Sequence, residues 1–369
     1  MINRGEQSPT APRAFGELAR RLLQHPTAPY HEHAVRLEAE HICALHGLDC
    51  ERDRFGNLVV RLRNSKTGRP LVLAAHLDHP GFEIVRPLSP GRWIGQFQGG
   101  VPESYFRRGT ALHLMPGRIP ARLGNRRANA RKEFEILAES PAQLSPRFAT
   151  WALPDFKLKH GRIYSRACDD LIGVAAILAT LIELKRIRAR VHVIGVLSRA
   201  EEVGFQGALA LASAVTLPKH SLVISLETSR ELPGVKMGEG VIVRVGDRAS
   251  VFDSGASRFL VEVAGELVKE NPFSFQRALM GGGTCEASAY QEFGYQCAAV
   301  CVALGNYHNC GSRGLIEMEY VSLSDACGMV RLLVEASRQM PRYEELIERF
   351  PNRLRTLLRD AKGRLPGTA

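Results

Sequence analysis

The sequence has no long apolar run. Its 369 residues contain no uninterrupted apolar stretch of the roughly 18 residues that a membrane-spanning helix requires. The nearest candidate, Leu171–Leu184, is interrupted by Thr180 and Glu183. The N-terminal segment also lacks the apolar core of a secretory signal. These absences argue against a helical membrane protein, and we expect a cytoplasmic chain with no membrane partner.

Closely spaced cysteine pairs are also missing. The chain has eight cysteines but no Cys-x-x-Cys pair. A chain of this length does not need disulfides to fold, and most of the cysteines lie in apolar surroundings. We therefore expect free thiols in a cytosolic protein rather than a disulfide framework.

Acidic residues are outnumbered by basic ones. Lys and Arg total 49 against 38 Asp and Glu, which gives a net charge of +11. The stretches Arg118–Lys132 and Arg353–Arg364 concentrate this excess. A basic excess can indicate a nucleic-acid partner. No zinc-finger, RNP or helix-turn-helix signature accompanies it, so we expect solvated basic faces and do not predict nucleic acid as a partner.

Helix-like and strand-like segments alternate along two parts of the chain. Before residue 82, and again from residue 162, continuous apolar runs such as Leu71–Ala75 and Val191–Leu197 alternate with helical patterns. Such alternation is typical of a parallel or mixed sheet with helices on both faces. The predicted fold is α/β, with a mixed, mostly parallel sheet in a main domain made of residues 1–81 and 162–369. The other strands predicted there are Leu58–Leu62, Leu222–Leu226 and Ala298–Leu304, and the predicted helices include Leu171–Leu184, Ser257–Glu270 and Ala287–Phe293.

Residues 82–161 have a different texture. Glycine and proline are frequent there, apolar runs are short, and no long helical period is present. This pattern predicts an inserted small β-barrel-like domain. In a domain this small, we expect apolar residues such as Trp93, Ile94 and Phe97 to be exposed.

Acidic and imidazole side chains occur where the predicted strands end or the long helix begins. There are five such places, which are His76-Leu77-Asp78, Asp169-Asp170, Glu201-Glu202, Glu227 and His308. Any one of them alone would be interpreted as a helix cap or a solvated turn. In sheets of this type, ligands bind beyond the carboxyl ends of the strands, so the five places together predict a single site.

The residue types of this set suit a pair of divalent cations. Imidazole and carboxylate ligands without thiolate favour zinc, cobalt or manganese. Two neighbouring cations need a bridging carboxylate, and a water between them becomes a nucleophile whose proton an unligated carboxylate must accept. His-x-Asp supplies a ligand together with an acceptor that fixes the imidazole tautomer. Glu-Glu supplies one base and one ligand.

Five strings in this order resemble the M42 family of co-catalytic metallo-aminopeptidases, the glutamyl and deblocking aminopeptidases, which are related to the M20 and M28 peptidases. The strings are His76–Phe82, Cys168–Gly173, Glu201–Ala208, Gly282–Thr284 and Tyr307–Asn309. The resemblance also includes the turn Asp53–Leu58 and the pair Gly99-Gly100, and it extends from about residue 15 to 340. An insert between His76 and Asp169 is typical of M42, because M20 peptidases carry their lid later in the chain.

The resemblance implies two divalent metal ions per subunit, zinc in the first place, with cobalt or manganese as alternatives. One ion would be held by His76, Asp169 and Glu227. The other would be held by Asp169, Glu202 and His308, so that Asp169 bridges the pair.

The resemblance also implies catalytic roles and an assembly. Glu201 would be the general base, and Asp78 would orient His76. The peptide bond between Asp169 and Asp170 is expected to be cis. Members of the family often form tetrahedral dodecamers in which the insert mediates contacts between subunits. A homo-oligomer acting on peptide substrates, with the dodecamer as the first expectation, follows from this.

Three departures from the family pattern lie near the expected substrate contacts. His79 replaces a usual glutamate, Glu227 replaces a usual aspartate, and Cys285-Glu286 follows Gly-Gly-Thr where aspartate is usual. None of them removes a ligand or the base. His79 is expected not to be a ligand, and Cys285 is not expected to be a nucleophile. The implied substrate contacts are Gly282, Gly283, Thr284 and Glu286.

Three functions remain open at this stage. The first is a two-metal aminopeptidase that removes N-terminal residues from peptides. The second is a two-metal amidohydrolase or deacylase acting on N-acyl amino acids or small amide metabolites. The third is a binding or assembly protein on a decayed peptidase scaffold, which would hold nucleic acid with its basic stretches. The complete ligand set and Glu201 favour an enzyme.

Overall fold

The computed structural model describes residue 8 and residues 10–65, 68–127, 132–139, 145–270 and 272–368. The helices are α1 (Pro12–Leu23), α2 (His33–Leu45), α3 (Cys168–Arg186), α4 (Gln206–Ser213), α5 (Ser254–Glu270), α6 (Glu286–Glu292), α7 (Leu323–Gln339) and α8 (Tyr343–Ala361). The strands are β1 (Asp49–Arg52), β2 (Leu58–Arg63), β3 (Leu71–His76), β4 (Gly81–Ser89), β5 (Arg92–Gln98), β6 (Ala111–Met115), β7 (Ile119–Arg126), β8 (Glu133–Ala138), β9 (Phe148–Trp151), β10 (Lys157–Lys159), β11 (Arg162–Ser165), β12 (His192–Ser198), β13 (Leu222–Arg230), β14 (Val241–Gly246), β15 (Phe275–Leu279), β16 (Gln296–Gly305) and β17 (Glu319–Ser322).

A large mixed sheet forms the main domain. Its strand order is β1-β2-β12-β3-β13-β16-β17-β11-β10, and β14 joins it beside β16 and carries β15. The neighbouring strands β12, β3, β13 and β16 run parallel, whereas the pairs toward both edges are antiparallel. The prediction of a mixed sheet is confirmed, and its parallel pairing is confined to the centre and to β14–β15.

Alternate residues of the central strands are buried on opposite faces of this sheet. In β3, Leu71 and Leu73 belong to the core that also contains residues of α1, α3, α5 and α7. Val72 and Ala74 belong to the core that contains residues of α4 and α6. Because successive side chains of a strand point to opposite faces, a strand covered on both faces has a continuous apolar sequence.

Helix α3 is buried on all sides. Every residue from Cys168 to Leu184 is buried, and the helix contacts β3, β13, α1 and α7. A helix without an exposed face needs no polar stripe, which explains the apolar segment Leu171–Leu184. Its first residues, Asp169 and Asp170, depart from helical geometry and lie at the candidate site.

The insert is a closed barrel of six antiparallel strands in the order β4-β5-β8-β7-β6-β9, which confirms the predicted β-barrel-like domain. The expectation that Trp93, Ile94 and Phe97 are exposed is wrong, because their exposed fractions are 6%, 1% and 2%. Closing the sheet gives the insert an interior of its own, and Trp93 and Phe97 pack there against Phe82 and Trp151.

The strand pairing shows where the chain leaves and re-enters the large sheet. The first barrel strand begins at Gly81 and the last one ends at Trp151. Strand β10, although within the predicted insert 82–161, pairs with β11 in the large sheet. The chain therefore returns to the main domain before residue 161, the limit expected from the sequence.

The amphipathic segment after Met340 forms α8. Its first turns pack on α5, where Tyr343 and Leu346 are buried. Leu354, Leu357 and Leu358 in the distal part are exposed. The helix is thus anchored on the main domain at one end only.

Other expectations concern charge, cysteines and membrane helices. Within the basic stretch Arg118–Lys132, Arg122 pairs with Glu139 and Arg126 with Glu103, while residues 128–131 lie outside the described residues. All eight cysteines are free. In the part of the chain that the structure describes, no helix has the length and apolarity required to cross a membrane.

Candidate metal centre

The predicted site residues converge at one edge of the large sheet. His76 ends β3, Glu227 lies in β13, and Glu201-Glu202 and His308 follow β12 and β16. Because these four strands are parallel neighbours, their carboxyl ends meet at the same edge. Asp169 reaches this edge from the start of α3, and its peptide bond to Asp170 is cis.

Two triads share the central aspartate. His76, Asp169 and Glu227 offer ligand atoms within 4.8 Å of one another, and so do Asp169, Glu202 and His308. Asp169 presents one oxygen to each imidazole, with Oδ1 lying 3.6 Å from His76 Nε2 and Oδ2 lying 3.4 Å from His308 Nε2. The two triads consist of the same residues as the two ligand sets that the family resemblance implies.

The two histidines turn a lone pair toward the triads. His308 Nδ1 lies 2.8 Å from the carbonyl oxygen of Gly100, and His76 Nδ1 lies 3.1 Å from that of Asp78. A carbonyl oxygen only accepts hydrogen bonds, so Nδ1 donates in both rings and Nε2 of the neutral imidazole is left as an acceptor. This is the tautomer that binds a metal through Nε2.

When both imidazoles are neutral, acceptors therefore face acceptors across the site. His308 Nε2 lies 3.0 Å from Glu202 Oε1, and that oxygen accepts no hydrogen bond from the described residues. Asp169 Oδ1 and Glu227 Oε1 are buried and unpartnered in the same way. Buried carboxylate oxygens without a donor are costly, and one divalent cation in each triad would together satisfy all three. The residues present thus fit the implied metal ions.

The pKa values show the same accumulation of negative charge. Burial, reinforced by the charge of Asp169, raises the pKa of Glu227 to about 8. Burial would lower the pKa of His76 and of His308, but the surrounding carboxylates outweigh it and raise both values well above the ordinary one. Burial would raise the pKa of Asp169, but the two imidazoles outweigh it and hold that value low. Cation binding here would compete with protons.

Glu201 lies beside these triads and belongs to neither, although its carboxylate forms a third group with His76 and Glu202 whose ligand atoms lie within 4.8 Å of one another. Its Oε2 is 3.9 Å from His76 Nε2, and its side chain is 11% exposed. Burial, with repulsion from Glu202 and Glu227, raises the pKa of Glu201 well above its ordinary value against the opposing charge of His76. A raised pKa makes this carboxylate a stronger base, which suits a group that accepts a proton and returns it.

Asp78 acts mainly on the Glu201-Glu202 segment. Its two carboxylate oxygens accept hydrogen bonds from the backbone N–H groups of Glu201 and Glu202, at 3.0 and 3.1 Å. Its carboxylate is 3.7 Å from His76 Nδ1, and the imidazole instead donates to the Asp78 carbonyl. Asp78 therefore orients His76 through its main chain and the two glutamates through its side chain.

One segment of the chain matches a known protein family. Residues 147–322, just under half of the chain, match the family model described as M42 glutamyl aminopeptidase. This segment is therefore similar to the M42 glutamyl aminopeptidases. The matched segment contains Asp169, Glu201, Glu202, Glu227 and His308, whereas His76 comes from outside it.

Solved structures of M42-type peptidases share the whole fold. The TET1 peptidase of Pyrococcus horikoshii, which can assemble into a tetrahedron or a large octahedral shell, is 22% identical with a TM-score of 0.74, over 88% of this chain and 99% of that chain. An aminopeptidase from Desulfurococcus kamchatkensis is 20% identical with a TM-score of 0.74, over 91% and 98%. The TET aminopeptidase of a marine sediment archaeon of the Thaumarchaeota is 19% identical with a TM-score of 0.76, over 90% and 99%. At these identities the likeness shows the fold.

A supporting glutamate of this site is not evident from the sequence. Glu319, at the start of β17, is fully buried and accepts hydrogen bonds from the backbone N–H of Asp169 at 3.1 Å and of His308 at 2.8 Å. His308 has a left-handed backbone with φ of 54°, a conformation that a non-glycine residue keeps only when its surroundings hold it. An isolated glutamate in a strand gives no spacing signal, and the sequence therefore gives no reason to select it.

His79, the first departure from the M42 pattern, contacts the residues that surround the metal-ligand candidates. Its Nδ1 lies 2.8 Å from the backbone oxygen of Asp169, and its Nε2 lies 3.1 Å from the amide oxygen of Asn309. The two nitrogens of His79 thus face a backbone oxygen and an amide oxygen, and His79 is in neither triad.

The predicted substrate contacts separate into two groups. Gly282, Gly283 and Thr284 line the cavity that contains the metal-ligand candidates. Glu286 is not among the residues that line it, and its side chain is buried within the fold at 1% exposure. Burial raises the pKa of Glu286 to about 7. Burial likewise raises the pKa of the neighbouring Cys285 thiol well above its ordinary value, which does not suit a nucleophile.

Proposed function

We propose that this protein is a metal-dependent aminopeptidase that hydrolyses N-terminal residues from peptides. The observation that carries the proposal is the pair of triads that share Asp169, with Glu201 beside them and free of both. The match of residues 147–322 to the M42 family model supports a peptidase. We propose further that residues 1–81 and 162–369, together with strand β10 in the same sheet, form its catalytic domain.

The site residues would divide the work of peptide hydrolysis. His76, Asp169 and Glu227 would hold one cation, and Asp169, Glu202 and His308 the other. When bound, the cations would polarise the scissile carbonyl and lower the pKa of a water. Glu201 Oε2 would accept the proton of that water and deliver it to the leaving amine, while Asp78 keeps the Glu201-Glu202 backbone in place.

Activity measured with defined cations tests this function. The protein would be depleted with a chelator, resupplied with Zn²⁺, Co²⁺ or Mn²⁺, and assayed on aminoacyl-anilides and on N-acyl amino acids. We expect anilide hydrolysis to vanish on depletion and return with one of the cations, at about two ions per subunit. Cleavage confined to the N-acyl amino acids would favour the deacylase alternative. Activity that survives complete depletion would contradict a metal-dependent mechanism.

We also propose a homo-oligomer in the cytoplasm, with a dodecamer as the first expectation. The self-assembly of the Pyrococcus horikoshii TET1 peptidase, which shares this fold, supports it. The expected exposure of Trp93 and Phe97 gives no support for a homo-oligomer, because both residues are buried in the barrel.

A further inference from the structure

The distal half of α8 has an apolar face that no described residue covers. The exposed fractions on this face are 50%, 48%, 55% and 57% for Phe350, Leu354, Leu357 and Leu358. Contacts with α5 extend as far as Phe350, whose ring centre lies 5.6 Å from the Arg258 guanidinium. Beyond Phe350, no hydrogen bond, ion pair or ring contact within the described residues joins α8 to another element. A single exposed leucine is ordinary, but several on one helix face indicate a contact surface.

The apolar residues of α8 have the spacing of a seam between two helices. Steps of four and three residues alternate along Tyr343, Ile347, Phe350, Leu354, Leu357 and Ala361. With this spacing, the side chains of two helices interlock along a line. Helix α5 fills the first part of the seam, where the ring centres of Tyr343 and Phe259 lie 5.1 Å apart. The open part continues the face that packs on α5, and on that side a second helix fits more readily than a flat lipid surface.

A second α8 that runs in the opposite direction complements the open part of the seam. If Leu354 of one helix faces Leu357 of the other, two-fold symmetry repeats the contact. In this register Phe350, the largest side chain of the open seam, faces Ala361, the smallest. A large residue opposite a small one keeps the helix axes evenly spaced. The contact would extend over residues 350–361, about three helical turns.

Charged residues beside the seam are complementary in the same register. Arg353 and Asp360 are one heptad apart, so both flank the same edge of the seam. Both are exposed, and neither has an ion-pair partner among the described residues, whereas Glu345 pairs with Arg342. In the antiparallel register, Arg353 of each helix would lie beside Asp360 of the other. A parallel pair would instead place Arg353 beside Leu358, so the charges favour the antiparallel direction.

We propose that α8 pairs in an antiparallel arrangement with the α8 of a second copy of this chain. The pairing goes beyond the proposed aminopeptidase function and does not depend on it. It also differs from any contact through the barrel, because α8 follows residue 340, where the resemblance to M42 proteins ends. The TET1 peptidase of Pyrococcus horikoshii is covered over 99% of its own chain but over only 88% of this one. This chain thus has residues beyond the shared fold.

A zero-length cross-link tests the pairing in the full chain. Arg353→Lys keeps the positive charge and supplies an amine that a carbodiimide can join to the Asp360 carboxylate of the other copy. The band of two linked chains on a denaturing gel is digested, and mass spectrometry identifies a peptide that joins residue 353 to residue 360. We expect this link at micromolar protein concentration. Adding Asp360→Asn should remove it, and adding Leu357→Glu should lower its yield by at least about 10-fold, because burying an unpaired charge is costly.

A matched variant controls for the added charge. Leu45 on α2 is similarly exposed, at 60%, and Leu45→Glu should leave the yield of the link unchanged. Circular dichroism verifies that each variant keeps its helices.

Two results would overturn the pairing, namely a missing link and a yield that Leu357→Glu does not lower. If the unlinked chain instead sediments with phosphatidylserine–phosphatidylcholine vesicles, the open seam contacts a lipid surface and the pairing is wrong. Leucyl-anilide hydrolysis in the same samples tests the proposed function separately, so the failure of one is distinguishable from the failure of the other.

Discussion

Glu201 and Glu202 are neighbours in sequence with different surroundings. Glu202 faces His308 Nε2 at 3.0 Å within a triad, whereas Glu201 lies outside the two triads that share Asp169. The two backbone N–H groups are fixed by the same carboxylate of Asp78. Two adjacent side chains held by one anchor can therefore take the separate roles of base and ligand.

Replacing Glu201 by glutamine separates these roles. Glu201→Gln keeps the shape of the side chain and removes the base, so kcat should fall by roughly 10²–10⁴-fold, the usual contribution of a general base. Metal content by atomic absorption should remain near two ions per subunit. The matched variant Glu202→Gln should instead lower metal occupancy. Loss of metal in Glu201→Gln with unchanged activity per metal would mean that the two residues have the opposite roles.

The buried carboxyl of Glu286 predicts a pH-dependent stability. Its folded-state pKa of about 7 exceeds the ordinary 4.5, so the stability that its neutral form contributes is complete below pH 4.5 and is lost as the pH rises to about 7. Glu286→Gln stays neutral throughout. In chelator-treated protein, urea unfolding should show similar free energies at pH 4.5 and an advantage of about 3 kcal/mol for the variant at pH 8. An advantage that does not grow with pH would contradict this account.

At the scale of elements, the turn before β2 supports the catalytic segment. Asn57 is fully buried, its amide oxygen accepts a hydrogen bond from Arg199 N–H at 3.1 Å, and its amide nitrogen donates to Gly207 O at 3.1 Å. These two contacts lie at either end of the segment that contains Glu201 and Glu202. The Asp53–Leu58 turn, which is also part of the family resemblance, thus holds the loop after β12.

Removing that support should weaken both stability and activity. Asn57→Ala leaves a buried N–H without an acceptor, so the free energy of unfolding in urea should fall by about 1–3 kcal/mol, with a lower kcat. The control is Asn64→Ala, an exposed asparagine whose amide donates to Ala189 O, for which we expect less than about 0.5 kcal/mol. Equal effects of the two variants would show that the turn has no special supporting role.

Sequence patterns predict those elements whose burial is visible as an apolar run. Strands β3 and β12 and helix α3 are predicted because they are buried on both or all sides. Strand β14 is not predicted, because Arg244, whose side chain lines the cavity, interrupts its apolar run. The burial of Trp93 depends on barrel closure, which no local pattern shows. The metal-ligand candidates are predicted because they lie where predicted strands end or the long helix begins. Glu319 is not predicted, because its role is visible only in its contacts with the backbone of Asp169 and His308.

At the scale of the whole molecule, the barrel contributes directly to the metal centre. The Gly100 carbonyl that fixes the tautomer of His308 belongs to the loop after β5. The preceding Gly99 has φ of +115°, and a Cβ there would meet Pro80 at 2.8 Å, so this approach requires glycine. Deleting the barrel would therefore disturb His308 as well as any assembly, and a test of assembly needs a milder change.

A single charge on the outer face of the barrel provides that change. Val85 on β4 is 53% exposed, and Val85→Glu would leave the barrel core and the Gly100 loop intact. Light scattering of the wild type should give a mass that is a multiple of 40.7 kDa, and twelvefold if the dodecamer forms. If the barrel face lies between subunits, Val85→Glu should give smaller particles that still cleave leucyl-anilide, because burying an unpaired charge is costly.

The main domain offers a matched control for this substitution. Val268 on α5 is similarly exposed, at 48%, and Val268→Glu should leave the particle size unchanged if contacts run through the barrel. The reverse result would place the contacts on the helical layer of the main domain. A wild-type mass of one chain at micromolar concentration would contradict assembly altogether. In a closed particle, cleavage would be restricted to short peptides, so wild type should spare a folded protein substrate that the smaller Val85→Glu particles can reach.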